Sequence, residues 1–330
     1  MKLRIIYGTS GTGKSEYCFE KTAENSSKNQ EQNTVIITPE QISFTAETRL
    51  MQSIYKTSKS KAVLNAEIIT FNRMAYRVLN EVLGTANSKT NLTKCGKAML
   101  VYSILDKQKS KLKFLGKSSE NIDLSINAIN EFKQHGIDTE NLEKEIEQTE
   151  DKYLKCKLED MNLIYKSFEE QIQGKYIDET DLLSMLAENI DKTDMFKDTI
   201  FYIDEFSGYT KQEYDIIKKL IQIGKRVTIT ICSDSLFTGT NPETDIYYSN
   251  KLTIVKLFKL AEELDIKPTQ IGLEKTYRFK EPELKFLQGN LYNSSLKQST
   301  KYEENVENLK FFLAKNQYSE IENVAKNISK

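Results

Sequence analysis

The chain has 330 residues and a mass of 38.1 kDa, is 38% hydrophobic and 29% charged, and sets 47 basic against 48 acidic side chains. That composition excludes a disordered or fibrous polypeptide, and no apolar run approaches the roughly 18–20 residues of a membrane span. Cys18, Cys95, Cys156 and Cys232 are 77, 61 and 76 residues apart and His135 is the single histidine, which excludes zinc-knuckle spacing and His-rich metal sites.

The predicted elements begin with a short apolar strand over residues 3–7. It is bounded by Gly8, unlike a signal peptide, so the chain reads as cytosolic with reduced thiols. Residues 15–23 have helix-forming composition. Residues 35–37 form the next buried strand, stopped by Pro39, and 66–71 a third. A helix follows with Met74, Val78, Leu79 and Val82 on one face and Gly84 at its end.

From about residue 92 to 190 the pattern is helices only, with apolar residues at three- and four-residue spacing, as in Leu158, Met161, Ile164, Tyr165 and Phe168. Strand signals resume at 199–203, then a helix over 211–223 and a strand over 227–231. A loop at 239–241 leads to a helix over 250–264, then Tyr277-Arg278, a helix from Glu281, a strand at 309–313 and a helix from Ser319. That last helix has nothing to pack against, so the chain reads as the N-terminal piece of a longer protein. The alternation predicts a parallel α/β sheet interrupted by a helical block.

The balanced charge is a cancellation. Residues 1–117 hold 19 basic and 9 acidic side chains, 118–190 hold 7 and 18, and 191–330 hold 21 of each. A basic and an acidic segment facing different directions is the expected arrangement.

Gly8-Thr9-Ser10-Gly11-Thr12-Gly13-Lys14-Ser15 fulfils the P-loop pattern between a strand and a helix. In that pattern the glycines let backbone N–H groups turn around phosphates, Lys14 reaches the outer phosphates and Ser15 takes Mg²⁺, so ATP and Mg²⁺ are the expected ligands. Asp204 and Glu205 end the apolar run 200–203. They are candidates to support the metal and to polarise the attacking water, or else a carboxylate pair serving the next helix N-terminus. Arg278 is a candidate to reach the γ-phosphate across a cleft, or an ordinary surface arginine. Lys94, Lys97, Lys107, Lys109, Lys111, Lys113 and Lys117 face one acid, Asp106. They form either a tract following a phosphate backbone or a solvated face. Phe71, Arg73 and Tyr76 are candidate stacking and phosphate groups for single-stranded DNA; core packing explains the two aromatics equally.

In order, these strings resemble the first motor domain of a superfamily 1 helicase: the P-loop, Thr-Pro-Glu-Gln at 38–41, Thr-Phe-Asn-Arg-Met-Ala at 70–75, Ile-Asp-Glu-Phe at 203–206 and Tyr-Arg at 277–278. Longer strings at 7–15, 37–47, 71–78, 129–133, 176–183 and 277–284 are similar to the AddB family, the B subunits of bacterial ATP-dependent helicase/deoxyribonucleases. The resemblance implies a RecA-like P-loop NTPase domain from 1–90 and 191–272, an all-helical insertion at 91–190 and the start of a second motor-like domain at 273–330. It also implies a heterodimer with an AddA-type subunit, DNA ends as substrate and resection for recombinational repair. The family's nuclease and iron–sulfur cluster belong to a C-terminal part that this chain does not contain. Ser207 and Gly208 stand where working motors carry Gln and Asp, and the run from Cys232 to 237 has no phosphate-sensing glutamine, so ATP binding with DNA scanning is expected rather than translocation. Two other readings remain: a P-loop small-molecule or nucleotide kinase, against which residues 79–225 hold no arginine, and a non-enzymatic DNA-binding scaffold with a vestigial ATP site.

Overall fold

The computed structural model describes residues 2–59, 62–84, 90–115, 119–236, 243, 245–290 and 301–329. The chain opens with β1 (Leu3–Gly8), α1 (Lys14–Lys28), β2 (Thr34–Ile37), α2 (Ser43–Ser58), β3 (Ala66–Ile69) and α3 (Phe71–Leu83). A helical block follows: β4 (Thr90–Leu92), α4 (Lys94–Gln108), α5 (Ser119–Gln134), α6 (Thr139–Gln148), α7 (Lys152–Ile172) and β5 (Tyr176–Asp178). Then come α8 (Leu182–Asn189), β6 (Ile200–Ile203), α9 (Lys211–Ile223), β7 (Arg226–Cys232), α10 (Tyr248–Glu263), β8 (Thr269–Gly272), α11 (Pro282–Asn290) and α12 (Gln317–Ile328).

Six strands form one parallel sheet in the order β3-β2-β6-β7-β1-β8. The central strands read as unbroken apolar runs because both faces are covered. Val35, Ile37, Phe201 and Ile203 point into a core shared with α3, α8, α9 and α10, while Ile36, Ile200 and Tyr202 point into a second core against α1 and α2. The register pairs Ile37 with Ile203 and Gly8 with Cys232, so these strands end together at one edge of the sheet. At that edge a parallel α/β sheet gathers its ligands.

The helical block has its own core, with Val101, Ile104, Leu105, Ile129, Ile164 and Phe168. Several expectations change here. The block is not helices only, since β4 and β5 pair in parallel within it. Leu182, Leu186 and Ile190 of its last turns pack into the sheet's core instead. Phe71 starts α3 rather than ending a strand, because Thr70 Oγ1 caps the helix by accepting from Arg73 N at 3.2 Å. Residues 309–313 are not a strand: Phe311 and Leu313 are 89% and 98% exposed, and the segment has no strand partner among the described residues.

The two charged segments do not face apart. Lys97 Nζ lies 2.6 Å from Asp178 Oδ2 in a buried pair, and Lys113 pairs with Glu159. Buried Asp160 accepts backbone N–H groups of Lys113, Phe114 and Leu115 at 3.0, 2.7 and 2.8 Å. The lysine-rich stretch is sewn onto the acidic helix α7.

Candidate functional site

The P-loop turns tightly between β1 and α1. Gly11 and Gly13 have φ of 82° and 86°, the left-handed region that glycine enters without a Cβ penalty. Thr12, buried, braces the turn by donating to Thr9 O at 2.9 Å. Gly13 is the N-cap of α1 and gives it no side-chain cap, so the first helical N–H groups keep their capacity for an anion. Lys14 Nζ donates to Gly8 O and Thr9 O, both at 2.8 Å. Burial lowers the Lys14 pKa, opposed by Cys232, Asp204 and Glu205.

Strand β6 delivers the acidic pair. Asp204 is 2% exposed; its Oδ1 accepts from the Thr230 hydroxyl of neighbouring β7, while Oδ2 is buried without a hydrogen-bond partner. Burial raises its pKa, and the Thr230 bond only partly offsets this. Glu205 takes φ of 67°, strained for a non-glycine residue, and its Oε1 accepts from Ser15 Oγ at 2.8 Å. The P-loop hydroxyl and the β6 carboxylates thus meet although β7 stands between their strands. An orphaned buried carboxylate oxygen beside a P-loop serine is the donor set a hard divalent cation takes, so these residues fit Mg²⁺.

The third wall is the segment after β8. Leu273 N donates to Tyr7 O and Tyr277 N to Gly11 O, each at 2.8 Å, and Arg278 Nη1 donates to Ser10 Oγ at 2.8 Å. Arg278 therefore sits on the loop itself rather than reaching it across a cleft. A cleft of about 530 Å³ results, lined among others by Lys14, Ser15, Asp204, Glu205, Tyr277 and Arg278. Arg49, Asn250, Cys232 and Thr230 also line it. Of these, only the threonine left a sequence signal, a hydroxyl in the middle of a buried strand.

The candidate DNA groups are placed differently. Phe71 is 5% exposed and packs against Phe206 with ring centroids 5.6 Å apart, so its ring is a core group and not a stacking platform. Lys97 is likewise buried, bonded to Asn130, Asp178 and Thr180, and leaves the DNA-facing set. Arg73 is exposed and pairs with Glu47 at 3.2 Å; Tyr76 is exposed as well. Glu40 Oε1 accepts from Asn72 Nδ2 at 3.0 Å, joining the loop at 38–41 to the start of α3. Lys94, Lys107, Lys109, Lys111 and Lys113 are exposed, and Lys117 lies outside the described residues. A second cleft of about 630 Å³ lies between the helical block and the sheet domain, lined by Asn72, Lys97, Asn130, Asp178 and Gln212. Lys107, Lys109, Lys111 and Lys113 line neither cleft.

The four cysteines sit on α1, α4, α7 and β7, and among the described residues no group of three or more His, Cys, Asp or Glu could hold a metal. An iron–sulfur cluster does not fit them. No helix among the described residues is long and apolar enough to cross a membrane.

A phosphate loop after β1, a carboxylate at the end of β6 and a parallel sheet with helices on both faces define a RecA-like P-loop α/β protein. The family model for ADDB, N-terminal, matches residues 5–288, and the chain belongs to that family. It is 36% identical to the B subunit of the ATP-dependent helicase/deoxyribonuclease of Clostridium kluyveri, over all of this chain and 29% of the relative. It is 35% identical to that of Clostridium tetani and 34% to that of Caldanaerobacter subterraneus, over all of this chain and 29% and 28% of those proteins. The chain spans less than a third of the length of these relatives.

Proposed function

We propose that this chain is the ATP-binding, helicase-like part of the AddB-type component of a heterodimeric ATP-dependent helicase/deoxyribonuclease that resects DNA ends for recombinational repair. The relatives are named as one subunit of such an enzyme, which implies a partner subunit and a DNA substrate. The partner is of the AddA type. The observation that carries ATP–Mg²⁺ binding is the meeting of Ser15 with Asp204 and Glu205 under the P-loop. Loop amides and Lys14 hold the phosphates, and Tyr277, 61% exposed against the loop, offers a flat face for the base. Ser15 Oγ and Asp204 Oδ2 hold Mg²⁺, which supplies charge neutralisation between phosphate oxygens. Arg278 stands beside Ser10 to meet a terminal phosphate, and Glu205 is placed to polarise a water. Ser207 and Gly208 bring neither an amide nor a carboxylate for coupling hydrolysis to movement, which supports scanning of single-stranded DNA by this chain while the partner translocates. Arg73, with the exposed lysines of α4 and the turn after it, supplies phosphate contacts to that strand.

Binding of ATP–Mg²⁺ before and after Lys14→Ala tests the reading. Loss of affinity supports it, and unchanged affinity sinks the P-loop assignment.

A further inference from the structure

The nucleotide cleft holds a cation that neither the P-loop nor the acidic strand end accounts for. Arg49, on α2, lines it together with Glu16 of α1. Its Nη2 donates to Glu16 Oε2 at 3.2 Å, and its guanidinium carbon lies 4.9 Å from the centre of the Phe19 ring. Both charged side chains are near half exposure, at 43% and 47%.

Glu16 is an awkward residue to find there. It lies in the first turn of α1, one residue beyond Ser15, and a carboxylate in that turn suits the helix dipole. The same turn points its N–H groups at the phosphates, however, and a carboxylate beside a phosphate repels it. Arg49 cancels that charge. A guanidinium has five N–H donors in a planar fork, and its contact with Glu16 uses one of them. The ring of Phe19 supports the flat face of the fork, so the group is held at the rim of the cleft rather than loose in solvent.

We propose that Arg49 is a phosphate ligand of this cleft, delivered from α2, and that Glu16 is its competitor. This rests on the reading that the cleft takes a nucleotide. Glu16 keeps the guanidinium at the rim, and a bound nucleoside polyphosphate draws it from the carboxylate onto a phosphate oxygen. The pair is then a selectivity device: a ligand must bring enough negative charge to displace Glu16, which favours polyphosphates over monophosphates.

The test is the affinity of the purified assembly for ATP–Mg²⁺ and for AMP in the variants Arg49→Ala, Arg49→Lys and Glu16→Gln. Arg49→Ala should weaken ATP binding about 5- to 20-fold, the size of one partly screened charge-assisted hydrogen bond, and Arg49→Lys should recover part of it. Glu16→Gln should tighten ATP binding and narrow the preference over AMP. A merely structural ion pair predicts the same sign for both partners, because either substitution breaks it. Equal signs, or unchanged affinity in Arg49→Ala, would overturn the proposal. Should Arg49→Ala fold poorly, Arg49→Lys and Glu16→Gln keep the comparison of signs. Lys14→Ala separates the two levels. If it leaves binding intact, the P-loop reading fails and this inference with it. If it removes binding while Arg49 and Glu16 fail to oppose one another, only this inference falls.

Discussion

Gly11 and Arg278 touch backbone to side chain: a Cβ added at Gly11 would lie 2.5 Å from the Cβ of Arg278, and Gly11 O accepts from Tyr277 N at 2.8 Å. The glycine is thus required twice, by its φ of 82° and by the segment laid upon it. Gly11→Ala is expected to cost at least about 1–2 kcal/mol from the left-handed backbone alone. It should also lift residues 277–278 off the loop. Thermal unfolding and ATP affinity should both fall; an alanine variant that keeps full affinity would show that the segment's position does not matter.

Asp204 is expected to trade stability for ligand binding. Its folded-state pKa is raised, so the folded protein holds the proton more tightly than the unfolded chain. Stability therefore falls as pH rises from the unfolded carboxylate value, about 3.9, up through the raised folded value. Asp204→Asn removes that loss and should stabilise the metal-free protein near neutral pH by about 1–2 kcal/mol. The same change should abolish the gain in nucleotide affinity that Mg²⁺ gives. Melting curves across pH without metal, and nucleotide titrations with and without Mg²⁺, check both halves. A destabilised variant that still responds to Mg²⁺ would contradict the role of Oδ2.

Most of the sheet was legible in the sequence because its central strands are buried on both faces. Runs such as Val35-Ile36-Ile37 and Ile200 to Ile203 have no polar alternative. The P-loop was legible because its chemistry is local, every group lying within eight residues. What the sequence hid is long-range. β8 is an edge strand of four residues whose register with β1 is set by partners over 260 positions away. Arg49 meets Glu16 only through the packing of α2 on α1. The lysines of the first 117 residues gave a misleading regional sum because the structure pairs Lys97 and Lys113 with carboxylates from the following segment.

Phe71 and Arg73, two residues apart, should behave as opposites. Phe71→Ala opens a hole beside Phe206 and should cost about 3–5 kcal/mol of stability, as large-to-small changes in packed cores do. Arg73→Ala loses one half-exposed ion pair with Glu47 and should leave the melting temperature nearly unchanged. If Arg73 contacts a phosphate, its removal should weaken single-stranded DNA binding alike for all sequences and lower the salt slope by about one. Unchanged DNA affinity together with an unchanged slope would remove Arg73 from the interface.

The insertion should depend on one carboxylate more than on any of its exposed lysines. Asp178, 2% exposed, lies 2.6 Å from Lys97 Nζ and 3.2 Å from Lys133 Nζ, and the two ammonium groups sit 5.1 and 5.4 Å from the ring of Phe168. Burial pushes the Asp178 pKa up, but the charges of Lys133 and Lys97 more than reverse this and hold it below the usual carboxylate value. Its contribution is thus fully present above the unfolded carboxylate value and lost as pH falls through the depressed one. Asp178→Asn leaves two buried ammonium groups with a carboxylate fewer, which should cost about 3–5 kcal/mol. Gln212 of α9 donates to Thr180 O at 2.8 Å beside this cluster, so the damage should reach the joint between insertion and sheet. Urea unfolding followed by hydrogen exchange should show α4, α5 and α7 opening first, whereas Lys113→Ala should leave the midpoint where it is. Equal effects from the two variants would mean that the buried cluster does not hold the insertion together.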